Sequence, residues 1–243
     1  MLLSAMTCRF SLSPALILHL TKGCITSAGA EAIVSSANVG LMGSTLQKNA
    51  WHHSGRQCAD AAVHRAAGRS LMAHLERLPY VDSAKRHKLQ IGCALATPAF
   101  GRLLPRSKHV IHCASPHVIG KVRADASDVR VLRHTYLSAL RCADRLSVRS
   151  VALPAVGVGV NAFPVDQAAA AALSACVAFA TAASESSPGG LPLPQQQQQH
   201  DAGSGGSRRP SLHEIQFWFR EQRALDAWID AAESIALVPP QCK

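Results

Sequence analysis

Charge is scarce in this chain: Asp, Glu, Lys and Arg make up 16% of its 243 residues, with 15 acids against 25 Lys and Arg. Aromatic residues are scarcer, at 5%. Low charge beside 48% hydrophobic residues excludes a chain disordered throughout, because such chains are apolar-poor and rich in net charge. The shortage of acids leaves a formal +10 with the 12 histidines neutral. That excess favours an anionic partner, such as a nucleotide, nucleic acid or acidic surface, and says nothing of fold. The eight cysteines, at 8, 24, 58, 93, 113, 142, 176 and 242, contain no C-x-x-C pair. A disulfide scaffold and a paired-ligand zinc site are therefore not written here, and reduced thiols in an intracellular protein are expected. No run reaches the ~20 strongly apolar residues of a membrane span. Residues 168–183 come nearest, but are mostly alanine, contain Ser174 and Thr181, and read as a buried helix. Among residues 1–20 the one base, Arg9, sits where a signal peptide needs an unbroken apolar core. A mitochondrial presequence is the minor alternative for that segment.

Composition changes at Ser184. Residues 184–211 hold Pro-Gly-Gly, Leu-Pro-Leu-Pro, five glutamines at 195–199 and Gly-Ser-Gly-Gly-Ser. With no period and little able to pack, this stretch is expected to be a disordered inserted loop. Beyond it, residues 212–219 form an aromatic strand candidate, and Leu225, Trp228, Ile229, Ala232 and Ile235 recur at helical spacing. These two elements are too small to fold alone, so they are expected to return to the main core. One domain over 1–243 follows, with its core at about 15–183 plus 212–236.

Upstream, strands and helices alternate. Residues 15–20, 32–36, 109–114 and 150–156 read as strands, and residues 61–76, 128–146 and 165–183 as helices. In residues 128–146, Val129, Leu132, Tyr136, Leu140 and Ala143 share one face. Alternation of this kind predicts an α/β layered domain with helices on both sides of a sheet.

The turn Gly157-Val158-Gly159-Val160-Asn161-Ala162 fits G-x-G-x-x-A between a strand and a helix. Such a turn suits a pyrophosphate, which needs several backbone N–H donors. It comes too late in the chain to open a Rossmann domain. A ribose-binding acid about 20 residues on would fall where the glutamine-rich loop begins. Phosphate binding stands; the Rossmann fold does not.

Several blocks, read together, point elsewhere. They are Gly23-Cys24-Ile25-Thr26, the run from Ala32 to Asn38 (AIVSSAN), the run from Asp60 to Gly68 (DAAVHRAAG), and Gly92 to Pro98 followed by Leu104-Pro105. Then come Val110-Ile111-His112 with Pro116, Ser150 to Ala155, and Phe163-Pro164. In this order they resemble the macro domain family over roughly residues 15–183, with 215–236 as a final strand and helix. The resemblance implies a three-layer α/β/α sandwich with a mixed central sheet. It also implies ADP-ribose, or an ADP-ribosylated protein, as the ligand in a cleft at the strand ends. Some members only bind; others remove ADP-ribose from proteins or hydrolyse O-acetyl-ADP-ribose.

Carried over by position, the resemblance gives Asn38 the distal ribose and Asp60 the positioning of water, as the two candidate catalytic residues. Gly157, Val158, Gly159 and Val160 would wrap the diphosphate, with Asn161 donating beside them. Cys24, Ile25, Ala37 and Phe219 would complete the ligand-binding wall, Phe219 against the adenine. Each has a plainer role as well: Asn38 as a turn residue, Asp60 as a helix N-cap, and Ile25 and Phe219 as core. The chain also departs from the family. Cys24 stands where an aspartate usually accepts from the adenine amine, and a thiol is a weak acceptor. Ser35 replaces an asparagine, Asn161 an aromatic and Ala162 a glycine. The glycine run between Asn38 and Asp60 is replaced by an insertion at 44–57 containing Trp51, His52 and His53, which either covers the cleft or bulges away from it.

Three functions fit these residues: an ADP-ribosyl ester hydrolase, an inactive ADP-ribose reader, and an anion- or RNA-binding module. The last rests on residues 100–150, where ten Lys or Arg face three Asp. Without a nucleic-acid motif, that excess reads first as a solvated basic face. No cofactor and no metal is implied: His52 and His53 are adjacent and lack a second ligand pair, and His112-Cys113 lies in an apolar strand. A monomer without membrane contact is expected.

Overall fold

The computed structural model describes residues 7–43, 58–184 and 211–235. The expected loop at 184–211 and the insertion at 44–57 fall almost wholly outside these residues, as do His52 and His53.

Seven strands make one sheet: β1 (Thr7–Ser13), β2 (Leu16–Lys22), β3 (Ala32–Ser36), β4 (Ala94–Pro98), β5 (His109–Cys113), β6 (Ser150–Leu153) and β7 (Glu214–Phe219). Their order across the sheet is β1-β2-β7-β6-β3-β5-β4. The five central strands run parallel, and the edge strands β1 and β4 are antiparallel to their neighbours. The strand after the glutamine-rich stretch therefore inserts between β2 and β6, at the middle of the sheet.

Period-two alternation sorts the side chains onto two faces. On one face, Val34, Ile111, Val151 and Leu153 pack under α3 (Ala126–Arg145), α4 (Val165–Ser184) and α5 (Gln222–Ser234). On the other, Ile33, Val110 and Ala152 meet α1 (Ala59–Ala67) and α2 (Arg69–Glu76). The result is the three-layer α/β/α sandwich with a mixed sheet that the resemblance implies.

Helix α4 is long and apolar enough to cross a membrane, over Val165–Ala182, by length and composition alone. Its buried alanines at 168, 169, 171, 172, 175 and 180, with Leu173 and Phe179, instead join the core beside α3 and α5. The single helix expected over 61–76 is two helices, broken where Gly68 adopts φ +71, a conformation that costs a glycine little. Helix α3 starts with a capping box in which Asp125 accepts from the N–H groups of Ser127 and Asp128. At the end of α2, the buried Lys88 ammonium donates to the carbonyls of Leu75 (2.7 Å) and Glu76 (2.8 Å). It there meets the negative end of the helix dipole.

Candidate functional site

The loops that follow β2, β7, β6, β3 and β5 surround one cavity of about 590 Å³. It lies outside the carboxyl ends of the parallel strands, where α/β sheets commonly bind ligands. Cys24, Ile25, Ala37, Asn38, Gly157, Val158, Gly159, Val160, Asn161 and Phe219 all line it. Residues distant in sequence thus share one wall because their strands are neighbours in the sheet.

Asn38 follows β3 and is half-buried. Its Oδ1 accepts from the N–H of Met42 at 3.2 Å. Because that partner can only donate, the amide orientation is set, and Nδ2 keeps its two donors. The turn role and the cleft role coexist in one side chain.

The turn after β6 opens with Gly157 at φ +87, and its carbonyl accepts from the N–H of Phe163 at 3.0 Å. A β-carbon at Gly159 would meet no atom within 4 Å, so this stretch of backbone is open to a ligand. The expected donation from Asn161 to a phosphate is not what its amide does. Its Nδ2 donates to Ser115 Oγ at 2.7 Å and to the Ser115 carbonyl at 3.3 Å, tying the turn to the segment after β5. Ala162 holds φ +55, so the left-handed backbone persists where the family's glycine is gone.

At the β2 and β7 end the walls are largely apolar. Ile25 (4% exposed) and Phe219 (2%) line the cavity and also belong to the core. Phe219 packs on Trp228, with ring centroids 5.2 Å apart. Trp218, half-buried on the opposite face of β7, lines the cleft as well and was not singled out from the sequence. Strand alternation was the signal available for it. The Cys24 thiol lies 3.1 Å from Thr26 Oγ1.

Asp60 is placed differently from the expectation. On α1 it is Ala59 and Ala62, three residues apart, that line the cleft. Asp60, one residue on from Ala59 and so about 100° around the helix, turns toward the sheet and is 1% exposed. Its Oδ1 accepts from Ser35 Oγ at 2.7 Å and lies 3.4 Å from His64 Nε2. Cys58, not Asp60, is the N-cap of α1, its sulfur accepting from the N–H of Ala61.

Ser35 pairs with His112 across β3 and β5, which puts His112 on the same face as Asp60. His112 bonds Thr97 Oγ1 through Nε2 at 3.1 Å, and burial, opposed in part by Asp60, lowers its pKa to about 4. Cys113 points to the opposite face, and burial pushes its thiol up to about 12. These neighbours form no nucleophilic pair: the strand separates them and the thiol stays protonated. Among the described residues no group of three His, Cys, Asp or Glu is placed to hold a metal.

The basic residues of 100–150 lie away from the cleft. Arg130, His134, Arg141 and Arg145 share one stripe of α3, and none joins an ion pair among the described residues. Burial lowers the Arg141 pKa, and the charges of Arg145 and Arg133 lower it further. Elsewhere in the segment Lys108 pairs with Glu31, Lys121 with Asp125 and Asp128, and Arg123 with Asp166.

Residues 34–172 match the profile of the Macro domain family. The chain is 32% identical over 157 residues to the ADP-ribose glycohydrolase MACROD1 of Rattus norvegicus, an alignment covering 65% of this chain and 51% of that protein. It therefore spans about half the length of the rat relative. It is 33% identical over 156 residues to an O-acetyl-ADP-ribose deacetylase of Salmonella gallinarum, covering 64% of this chain and 75% of that one. The Oceanobacillus iheyensis macrodomain structure with ADP superposes with a TM-score of 0.68, covering 96% of this chain and 97% of that chain. Its 19% identity makes that likeness one of fold. With the order of the blocks, the sheet topology and a match over more than half its length, the chain belongs to the Macro domain family.

Proposed function

We propose that the cleft binds ADP-ribose, free or carried on a protein, and that the protein hydrolyses ADP-ribosyl esters. The observation that carries this reading is the order of the cleft walls. Apolar side chains stand at the ends of β2 and β7, an open glycine turn follows β6, and an amide donor follows β3. The sheet spaces these at one strand each, so the walls run over three spacings, or about 14 Å. A base would lie between Ile25 and Phe219. The diphosphate would meet backbone N–H groups at Gly157 to Val160, and Asn38 Nδ2 would donate to the distal ribose. The names of the rat and Salmonella relatives support hydrolysis as the chemistry.

In that chemistry the fixed cleft holds the ester against water, and orientation lowers the barrier by removing translational freedom. Asp60 would act from behind α1, holding the helix N-terminus and the Ser35 strand in place, and would reach water only by leaving its buried bond. A second reading, a reader that binds without turnover, is favoured by that same placement of Asp60 outside the cleft wall.

O-acetyl-ADP-ribose incubated with wild type and Asp60→Ala separates the two. Turnover by wild type, lost in a folded variant that still binds ADP-ribose, supports hydrolysis. Equal turnover in the variant removes Asp60 from the mechanism. Micromolar binding with no product at any protein concentration establishes the reader.

A further inference from the structure

We infer that Glu221 reads the edge of the base and is the specificity-determining residue of the cleft, an inference that rests on the ADP-ribose reading above. Among the described residues that line the cavity, Glu221 is the one carboxylate. A carboxylate repels a diphosphate, so its presence in this cleft calls for a donor on some other part of the ligand.

The register of the sheet places it. Lys22 of β2 is paired with Phe219 of β7, and the N–H of Gly23 donates to the Phe219 carbonyl at 2.8 Å. Cys24 and Glu221 each follow these paired strand ends by two residues, and both line the end of the cleft walled by Ile25, Trp218, Phe219 and Ala224. That end lies one to two strands farther from Asn38 than the glycine turn does. The flat apolar walls suit the faces of a ring, while the polar edge of the ring must meet the rim.

At the rim, the Cys24 sulfur already lies against Thr26 Oγ1 and is a weak acceptor. Glu221 sits at the N-cap of α5, yet its side chain accepts nothing from the helix. Its exposed carboxylate makes no hydrogen bond or ion pair among the described residues. An exocyclic amine, such as N6 of adenine, supplies the donor that it lacks. Hypoxanthine presents a carbonyl oxygen at that position and would meet the carboxylate acceptor to acceptor.

Isothermal titration of the full chain with ADP-ribose and with its inosine counterpart tests this. Wild type is expected to prefer the adenine ligand by about tenfold or more, the worth of one charged hydrogen bond. Glu221→Ala is expected to weaken ADP-ribose until the two ligands are within about threefold, without weakening the inosine ligand. Glu221→Gln, which keeps one acceptor oxygen, is expected to fall between. Cys24→Asp added to Glu221→Ala is expected to restore the preference, since it returns a carboxylate to the neighbouring strand end. An unchanged preference in Glu221→Ala, or equal weakening of both ligands, overturns the assignment. A preference for the inosine ligand that survives Glu221→Ala overturns it in favour of Arg220, the neighbouring donor. Binding of neither ligand by folded wild type overturns the ADP-ribose reading itself, and this inference with it.

Discussion

Ser35 Oγ donates to Asp60 Oδ1 at 2.7 Å, and both side chains are buried, at 0% and 1% exposed. The bond joins β3 to α1 and holds the carboxylate out of the cleft wall. Ser35→Ala leaves a buried carboxylate without that donor, and losing a hydrogen bond to a charged group costs about 1.5–3 kcal/mol. Thermal and denaturant unfolding are expected to report a loss of that order. A stability change below about 0.5 kcal/mol, typical of an exposed site, would show that the bond does not hold this layer together.

One substitution separates the turn bond of Asn38 from its proposed donation to the ribose. Asn38→Asp keeps an oxygen to accept from the Met42 N–H but loses both Nδ2 donors and adds a negative charge to the cleft. Unfolding is expected to change by less than about 1 kcal/mol, while ADP-ribose affinity falls at least about tenfold. Loss of folding with affinity retained in the remaining native fraction would reverse the assignment, making Asn38 a turn residue alone.

Ala162 is held at φ +55. An L-residue there carries a strain of about 1–2 kcal/mol, against which glycine loses about 0.5–1 kcal/mol through its freer unfolded chain. Ala162→Gly is therefore expected to stabilise the protein by up to about 1 kcal/mol, or roughly 2–4 °C in Tm. A lower Tm would mean that the turn does not hold this conformation in solution.

His112 makes the fold sensitive to acid. Burial is the main reason its pKa falls to about 4; the Asp60 charge opposes it, and His64 and His74 lower it further. An unfolded His112 takes a proton below about pH 6.5, and the folded one refuses it until about pH 4. The unfolded state binds more protons in that window, so stability rises with pH and is lost as pH falls from 6.5 to 4, by on the order of 3 kcal/mol. Denaturant titrations at pH 7, 5.5 and 4.5 are expected to show this slope, and a smaller one in His112→Gln. Burial lowers His19, His109 and His134 as well, so the variant keeps part of it. An unchanged slope would assign the acid response to those groups.

Much of this architecture was legible because two periods are written plainly in the chain. The alternation through β7, the short buried runs of β3 and β5, and the helical spacing of α3 and α5 place those elements to within a few residues. The edge strands were harder to see. In β1, Cys8 and Phe10 are buried while Arg9 and Ser11 are exposed, a period-two pattern too short to stand out beside questions of targeting. In β4 the run from Ala94 to Pro98 has small residues and ends in proline, which an edge strand tolerates. The cleft wall was legible by family position, since Asn38, the 157–161 turn and Phe219 all reach it. Three details depend on contacts that no linear pattern encodes: Asp60 turned under α1, the Asn161 amide spent on Ser115, and Glu221 brought to the cleft wall beyond β7.

The central claim, that this cleft holds ADP-ribose, is tested most directly by isothermal titration of the purified full chain with ADP-ribose. Binding at micromolar strength, about −8 kcal/mol, with one-to-one stoichiometry is the predicted result. No detectable heat at two temperatures, from a sample shown to be folded by a cooperative unfolding transition, would contradict it.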